Sequence, residues 1–358
     1  MSIIFDLENV LADFSDPMQN NIRFIYSLAL LPKPKVAFHS DADGIISAMI
    51  LKSLEEYKNA IYFPLGYQEL HHPKFGQFLS TLNWIAIVDL MPFHVKEVDL
   101  YCDHHESTKN LPKLAEVVIY DEEAPSTAFL LATHFKDRIS EELKLLADLT
   151  IITDTAGFTI PPPVGTQESF LETSHQNQAW LLDDICNTPE STEEVLNLLQ
   201  DFSLSGINLF SNDLYQQKIA ILRNLRKESV MLGDEFKTAD MIMIVQGERK
   251  IVTSALVQSL FVRGVKLTCV FYPGKRFTGL SFRVSSQISD SELENIRVDR
   301  IAEKFFGGGH PRAAGGRGKS FKSTLKELLE WIEQKKLTYR LYDLRRPSKI
   351  HQISKSLE

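Results

Sequence analysis

Three short apolar runs, each cut off by ionisable residues, limit what this chain can fold into more than any other feature. "KVAFH" (35–39) stops at "SDADG", "WIAIVDL" (84–90) closes on Asp89-Leu90, and "EVDLY" (97–101) runs into "CDHHES". Apolar runs of this length, bounded by turn-forming residues, read as strands. The stretch between the first two, "DGIISAMILKSLEEY" (43–57), sets Ile45, Ala48, Met49 and Leu54 on an approximate helical stripe, and "LKLLADLTIITDTAGF" (143–158) reads as a further helix with Asp154 near its end. Strands alternating with helices predict a parallel sheet covered by helices on both faces. Ligands of such sheets bind at the carboxyl ends of the strands. The ionisable residues His39 to Asp43, Asp89, and Asp103 to His105 fall at those ends, so they are expected to share one site.

The rest of the chain carries a second α/β pattern. "STEEVLNLLQ" (191–200) opens on a Ser/Thr cap with Glu194 three residues after Ser191, and "YQQKIAILRNLRKESVML" (215–232) reads as a connecting helix. "MIMIV" (241–245), "LTCVFY" (267–272) and "TGLSFRV" (278–284) are strand candidates, followed by the glycine-rich "FFGGGHPRAAGGRGK" (305–319). The expected architecture is α/β in two α/β domains: a parallel-sheet domain over 1–185, a helical linker over 186–235, a smaller mixed-sheet domain over 236–336, and a basic tail over 337–358. Three prolines make "TIPPPVGTQ" (159–167) a loop or lid.

A chain of 358 residues can bury two cores. Its 44% hydrophobic and 24% charged residues are those of an ordinary soluble globular protein. No apolar run approaches the length of a membrane span, and "MSIIFDLENV" lacks the basic start and apolar core of a secretory signal. The three cysteines, Cys102, Cys186 and Cys269, form no disulfide framework and suit a reducing compartment, so the cytoplasm is expected. The net charge of −8 disfavours a partner gripped through many duplex phosphates and is easier to reconcile with a short single strand or a small anionic substrate.

The candidate metal ligands are His39, Asp41, Asp43, Asp89, Asp103, His104, His105 and Asp154. Carboxylates with a minority of imidazoles suit Mn²⁺ or Mg²⁺ better than a thiolate-rich structural zinc site. Four carboxylates can neutralise and bridge two divalent ions, an arrangement that clamps a phosphoryl group and activates water. Each piece alone has a plain structural explanation: "DAD" is most often a solvated turn, Asp89 a cap, "HH" a surface pair. His71 and His72, next to Pro73, are expected in an exposed loop, as is His94. Cys102 is expected to be buried in its strand, and Phe305 and Phe306 in the core, although either aromatic could instead stack on a base.

Taken in order, "HSDADG" (39–44), "VDL" (88–90), "DHHES" (103–107), "TDTAGF" (153–158) and "GGGHPRAAGG" (307–316) resemble the DHH phosphoesterases that carry a DHH-associated C-terminal domain. That group includes RecJ-type exonucleases and the oligoribonuclease/phosphoadenosine-phosphate phosphatases. The resemblance spans about residues 35–330, and the ordered set is far more specific than any one motif. It implies a DHH catalytic domain binding two divalent metal ions, Mn²⁺ preferred and Mg²⁺ allowed. Asp41 would ligate the first metal, and Asp43, His104 and Asp154 the second. Asp89 would bridge both, His105 would face the phosphate, and Asp103 would orient the histidine pair. Many family members place a metal-binding histidine four residues before the first Asp, where this chain has Ala37; His39 stands two before it, either a ligand or a substrate-side residue.

In the second domain the resemblance assigns substrate binding to Ser281, Arg283, Gly307, Gly308, Gly309 and His310. Glycines let backbone N–H groups approach an anion, and a guanidinium can grip phosphate with two hydrogen bonds. The activity implied is hydrolysis of short single-stranded RNA or DNA, or of small nucleotides. Polyphosphate, pyrophosphate or cyclic-dinucleotide hydrolysis and a catalytically silent scaffold are the alternatives. No membrane partner is expected, and a homodimer is allowed.

Overall fold

The apolar runs become strands within a residue or two of their expected limits. The structure, a computed structural model, describes residues 6–345 and 351–353 except 13, 15, 71, 94–96, 156, 160–162, 164–173, 248–249 and 275–276. It comprises two units that divide between residues 221 and 222, inside the helix Asp213–Asp234.

The first unit is built on β1 (Lys35–His39), β2 (Ile61–Leu65), β3 (Trp84–Val88), β4 (Val98–Asp103) and β5 (Ala115–Tyr120). All pair in parallel, in the order β2-β1-β3-β4-β5. β1, β3 and β4 are therefore neighbours, and the residues after their last apolar positions emerge side by side. Side chains alternate across the sheet: Val36 and Phe38 belong to one buried cluster and Ala37 to the other, as expected of strands covered on both faces.

The helix after β1, Ala42–Ser53, carries the expected stripe and is buried well beyond it. Every residue from Ala42 to Leu51 is buried, because the helices Thr127–His134, Glu141–Asp154 and Thr192–Ser205 pack around it. A helix buried all round needs no polar face. Its start is pressed so closely against β1 that a Cβ on Gly44 would lie 2.0 Å from the His39 carbonyl oxygen, which only glycine avoids.

Two domain limits are corrected. The first domain does not stop at 185: beside the helix His175–Cys186, the helix Thr192–Ser205, expected as linker, places Val195, Leu198 and Phe202 in the same buried cluster as Phe38 and Ile46. Ser191 caps the second of them as expected, accepting a hydrogen bond from the Glu194 N–H at 3.2 Å.

The second unit holds β6 (Met241–Val245), β7 (Leu267–Pro273), β8 (Thr278–Val284), β9 (Gly308–His310), β10 (Ala313–Gly318), β11 (Tyr339–Asp343) and β12 (His351–Ile353). They form one mixed sheet in the order β12-β11-β6-β7-β8-β10-β9. β11–β6–β7 is parallel and the remaining pairs are antiparallel. The expected basic tail from 337 thus begins inside the sheet, since Leu341 and Tyr342 of β11 are buried beside β6.

Three smaller expectations also change. His72 is buried rather than in an exposed loop; its Nδ1 accepts from the Phe75 N–H at 3.2 Å and caps the helix Pro73–Leu79. Phe305 is core but Phe306 is not, with exposures of 2% and 76%. His71, His94 and most of the proline loop lie outside the described residues. Cys102, Cys186 and Cys269 are buried free thiols. Among the described residues no helix is long and apolar enough to cross a membrane.

Candidate metal centre

Each expected ligand of the first unit is delivered by the end of a regular element. His39 closes β1 and Asp41 caps the next helix, dividing its carboxylate between two tasks. Asp41 Oδ1 accepts the Gly44 N–H at 3.0 Å, and Oδ2 accepts His39 Nδ1 at 2.7 Å. Asp43, two residues on, points into the interior and is 1% exposed. There it receives the first N–H groups of the helix Thr127–His134, from Thr127 at 2.7 Å and Ala128 at 2.8 Å. A helix N-terminus favours an anion in that position.

Asp89 follows β3 with a left-handed backbone, φ 55°, which a non-glycine residue adopts only when its surroundings demand it. Its N–H bonds the Cys102 carbonyl at 2.9 Å, and its Oδ1 accepts the Thr127 hydroxyl at 3.1 Å. The turn aims the carboxylate at the cluster instead of along the sheet. Asp154 ends the helix Glu141–Asp154.

Asp103, at the end of β4, is fully enclosed by donors. Its Oδ1 accepts the His104 N–H (2.9 Å) and His105 Nδ1 (2.8 Å), and its Oδ2 accepts the hydroxyls of Tyr101 (2.8 Å) and Thr108 (2.6 Å). Burial alone would raise its pKa, but these bonds outweigh it and hold the carboxyl below its usual range. Both Asp103 oxygens are thus taken up by donors, among them the His104 N–H and the His105 ring. Asp103→Ala is expected to lower stability by about 3 kcal/mol, since it strands buried donors, and to cost about 10- to 100-fold in turnover through misplaced histidines. Urea unfolding and steady-state rates measure the two effects, and an unchanged urea midpoint would contradict this account of the network.

The two imidazoles diverge. His104 Nδ1 bonds the Ala124 carbonyl at 3.1 Å, so in the neutral ring Nε2 carries the lone pair. That Nε2 is buried without a hydrogen-bond partner, 3.2 Å from Asp154 Oδ2 and 3.8 Å from Asp43 Oδ2. His105 Nδ1 is bound to Asp103 and lies 3.8 Å from Asp89 Oδ1. Burial works against its charge, but the Asp103 bond and carboxylate prevail and raise its pKa to about 9. His39 is raised likewise, with burial opposed by Asp41. Asp41 itself is held well below the usual carboxylate range: desolvation opposes its charge, and His39 outweighs it.

The remaining carboxyls move the other way. Burial, then Asp154 and Asp41, push Asp43 up to about 7, and burial with the Asp41 charge raises Asp154 to about 6. Burial and the charges of Asp43 and Asp41 raise Asp89 far above its ordinary value. Asp89 Oδ2, like His104 Nε2, is buried without a hydrogen-bond partner. Two buried acceptors without hydrogen-bond partners, among several carboxylates, form a place where a cation would be favoured. Oxygen and imidazole donors without a thiolate fit a hard divalent ion.

Among the described residues, donor atoms of His39, Asp41 and Asp89 lie within 4.8 Å of one another, as do those of Asp43, His104 and Asp154, and those of Asp89, His104 and His105. Asp89 falls in one group with Asp41 and in another with His104, the placement required of a residue that would hold two ions together. Sequence reasoning missed Thr127, Thr108, Tyr101 and the Ala124 carbonyl, which organise these ligands. Of these only Thr127 left a signal, the cap-like "PST" at 125–127 ahead of an apolar run.

The residues expected to bind substrate lie in the second unit. Arg283 is exposed on β8, and its Nη1 donates to Ser281 Oγ at 3.2 Å and to the Phe282 carbonyl at 2.8 Å. In register, Arg283 lies beside Ala313 and then His310, and Ser281 beside Gly315 and then Gly308. The glycines have different reasons to be glycine. A Cβ on Gly307 would lie 1.9 Å from the Gly315 carbonyl oxygen, and one on Gly309 (φ 138°) 2.5 Å from that of Ala313. Both are required by the packing of β9 on β10. Only Gly308 borders open space, with nothing within 4 Å of an added Cβ.

No protein-family model matches the sequence, and no curated protein matches it. Solved structures do match in fold. A pGpG-specific phosphodiesterase from Vibrio cholerae aligns over 85% of this chain and 99% of its own, at 17% identity and a TM-score of 0.52. An exonuclease RecJ bound to manganese aligns over 92% and 93%, at 17% identity and a TM-score of 0.52. The DHH domain of a member of a family of ribosomal proteins aligns over 92% and 90%, at 12% identity and a TM-score of 0.51. The chain shares the two-domain fold of the DHH proteins.

Proposed function

We propose that this chain, built on the DHH fold, is a divalent-metal-dependent phosphoester hydrolase of short single-stranded oligonucleotides or small nucleotides. The observation that carries the reading is the acceptor cluster at the carboxyl ends of β1, β3 and β4, in which Asp89 Oδ2 and His104 Nε2 are buried without hydrogen-bond partners. His39, Asp41 and Asp89 would hold one ion, and Asp43, His104 and Asp154 the other, with Asp89 shared. Two such ions would supply charge to stabilise an attacked phosphorus and lower the pKa of a water.

The chain's own groups do the rest. His105, whose Nδ1 lies 3.8 Å from Asp89 Oδ1, is placed beside the cluster and can donate a proton to a phosphoryl oxygen. Asp103 fixes the orientation of that ring through Nδ1. In the second unit Arg283 offers a guanidinium to a substrate phosphate, with Ser281 and the open backbone at Gly308 beside it. The names of two fold neighbours, a pGpG-specific phosphodiesterase and an exonuclease, support a nucleotidyl substrate.

The test is a Mn²⁺ assay against labelled dinucleotides, longer RNA, single-stranded DNA, phosphoadenosine phosphate, a cyclic dinucleotide and polyphosphate. Turnover of dinucleotides or another small nucleotide is expected, with Mg²⁺ run in parallel to rank the metals. Hydrolysis of polyphosphate or the cyclic dinucleotide alone would replace the substrate, and no turnover by protein holding two metal ions would sink the enzyme reading.

A further inference from the structure

Among the described residues three non-glycine residues have left-handed backbones: Asp89 (φ 55°), Phe306 (52°) and Lys336 (56°). Asp89 belongs to the acidic cluster. The other two close helices in the same manner. Phe306 N–H bonds the Glu303 carbonyl and Gly307 N–H that of Ala302, just as Lys336 bonds Glu333 and Leu337 bonds Ile332. This terminal position is ordinarily glycine, because a Cβ there is strained.

A phenylalanine is a costly choice for that place, and burial does not compensate for it. Phe306 is 76% exposed, whereas Phe305 before it is 2% exposed. Lys336 shares the strain and the exposure; what sets Phe306 apart is that the strained position carries an aromatic ring directly ahead of the glycine row. The surroundings indicate the ligand. Gly307 and Gly308 follow directly, and the space beside Gly308 is open. From Gly308 the side-chain-poor row Gly308–Gly315–Ser281 crosses the sheet, with His310–Ala313–Arg283 as the next row. Arg317, whose N–H bonds the Phe305 carbonyl, holds its guanidinium 4.5 Å from the centre of the Phe277 ring. An exposed aromatic residue just ahead of an open backbone edge, with Arg283 two strands away in the same sheet, matches a molecule with both an aromatic base and a phosphate. Inorganic polyphosphate would leave the ring unused.

We infer that Phe306 is a stacking platform for the base of a nucleoside-bearing substrate, which makes the second unit's site one for nucleotides and tolerant of base identity. The inference rests on the phosphoester-hydrolase reading above and narrows its substrate class.

The full chain and its Phe306→Gly, Phe306→Trp and Lys336→Gly variants are titrated calorimetrically with a phosphorothioate-linked ribodinucleotide and with tripolyphosphate, and melted without ligand. Phe306→Gly should bind the dinucleotide on the order of tenfold more weakly, while Phe306→Trp and Lys336→Gly stay within about threefold of the parent, a difference below 1 kcal/mol. Tripolyphosphate affinity should be the same in all four, or undetectable in all four. Both glycine variants should melt no lower than the parent, by relief of the left-handed strain, and about 2–4 °C higher if the relief is near 1 kcal/mol. Unchanged dinucleotide binding in Phe306→Gly, equal weakening of both ligands, or a lower melting temperature would overturn the stacking role while leaving phosphoester hydrolysis standing. A parent protein that neither binds nor cleaves any nucleotide would overturn both.

Discussion

Asp89→Asn is expected to reduce metal-dependent turnover by about a thousandfold or more while leaving a folded protein that, without metal, is more stable than the parent. The residue sits at φ 55° between two groups of donor atoms, one with Asp41 and one with His104 and His105. Asparagine tolerates the left-handed backbone and can keep the oxygen that accepts from Thr127 at 3.1 Å. What it removes is one negative charge shared by both groups. Losing several kcal/mol of charge stabilisation at the attacked phosphorus corresponds to about three orders of magnitude in rate.

The stability effect has the opposite sign for a separate reason. Burial and the charges of Asp43 and Asp41 make ionised Asp89 unfavourable without a cation. Turnover assays and calorimetry with and without Mn²⁺ measure both effects. Near-normal turnover, or an undiminished rise in melting temperature on adding Mn²⁺, would count against Asp89 as a shared ligand.

The second large effect is a dependence on pH that a metal should reverse. Asp43 is raised to about 7 and Asp154 to about 6, so the metal-free native state holds protons that the unfolded chain releases near pH 4. A raised pKa contributes stability that is complete below the unfolded value and is lost as pH rises through the folded one. Metal-free protein should therefore lose stability between about pH 4 and pH 7. His105, raised to about 9, adds a further loss from the ordinary histidine value up to that pH. Asp41 and Asp103 are lowered, and their contribution falls away only in more acid solution, outside this window.

One buried carboxylate displaced by one unit is worth about 1.4 kcal/mol, which is about 3–6 °C in a unit of this size. Divalent ions compete with those protons, so their stabilising effect should grow with pH. At a free Mn²⁺ concentration one hundred times its dissociation constant the gain is about 2.7 kcal/mol. Melting curves from pH 5 to pH 8, with EDTA and then with Mn²⁺, measure both trends. A metal-free protein that is more stable at pH 7.5 than at pH 5 would refute the charge account of the cluster.

Much of the fold is legible from local pattern. β1, β6 and β8 coincide with "KVAFH", "MIMIV" and "TGLSFRV", because each is a short apolar run bounded by turn residues. β5 escapes such reading: its middle residues Val117 and Val118 are 43% and 46% exposed, so no burial pattern marks it. The helix Ala42–Ser53 is found by its stripe, but its burial all round is not, since a stripe of apolar residues cannot reveal how many neighbours will surround it. The limits at 185 and 337 fail for a related reason: the helices after 185 and the strand at 339 belong to whichever core their apolar residues reach, and that choice is made by packing.

The sequence by itself determined the chemical kinds at the centre and their order along the chain, because strand ends in a parallel sheet converge and the motifs "DADG", "VDL" and "DHHES" occupy three of them. The order of those motifs also carried the family resemblance, which implied different tasks for Asp103, His104 and His105. Only the tertiary structure decided how those tasks are held apart. The Ala124 carbonyl, twenty residues from His104, selects which ring nitrogen faces the carboxylates. Thr127, 84 residues from Asp43, supplies the N–H that fixes that carboxylate and the hydroxyl that reaches Asp89. It likewise divided Phe305 from Phe306, burying one and exposing the other in a strained turn. Adjacent residues of one type are alike in sequence, and they differ once the chain's distant parts close around one of them.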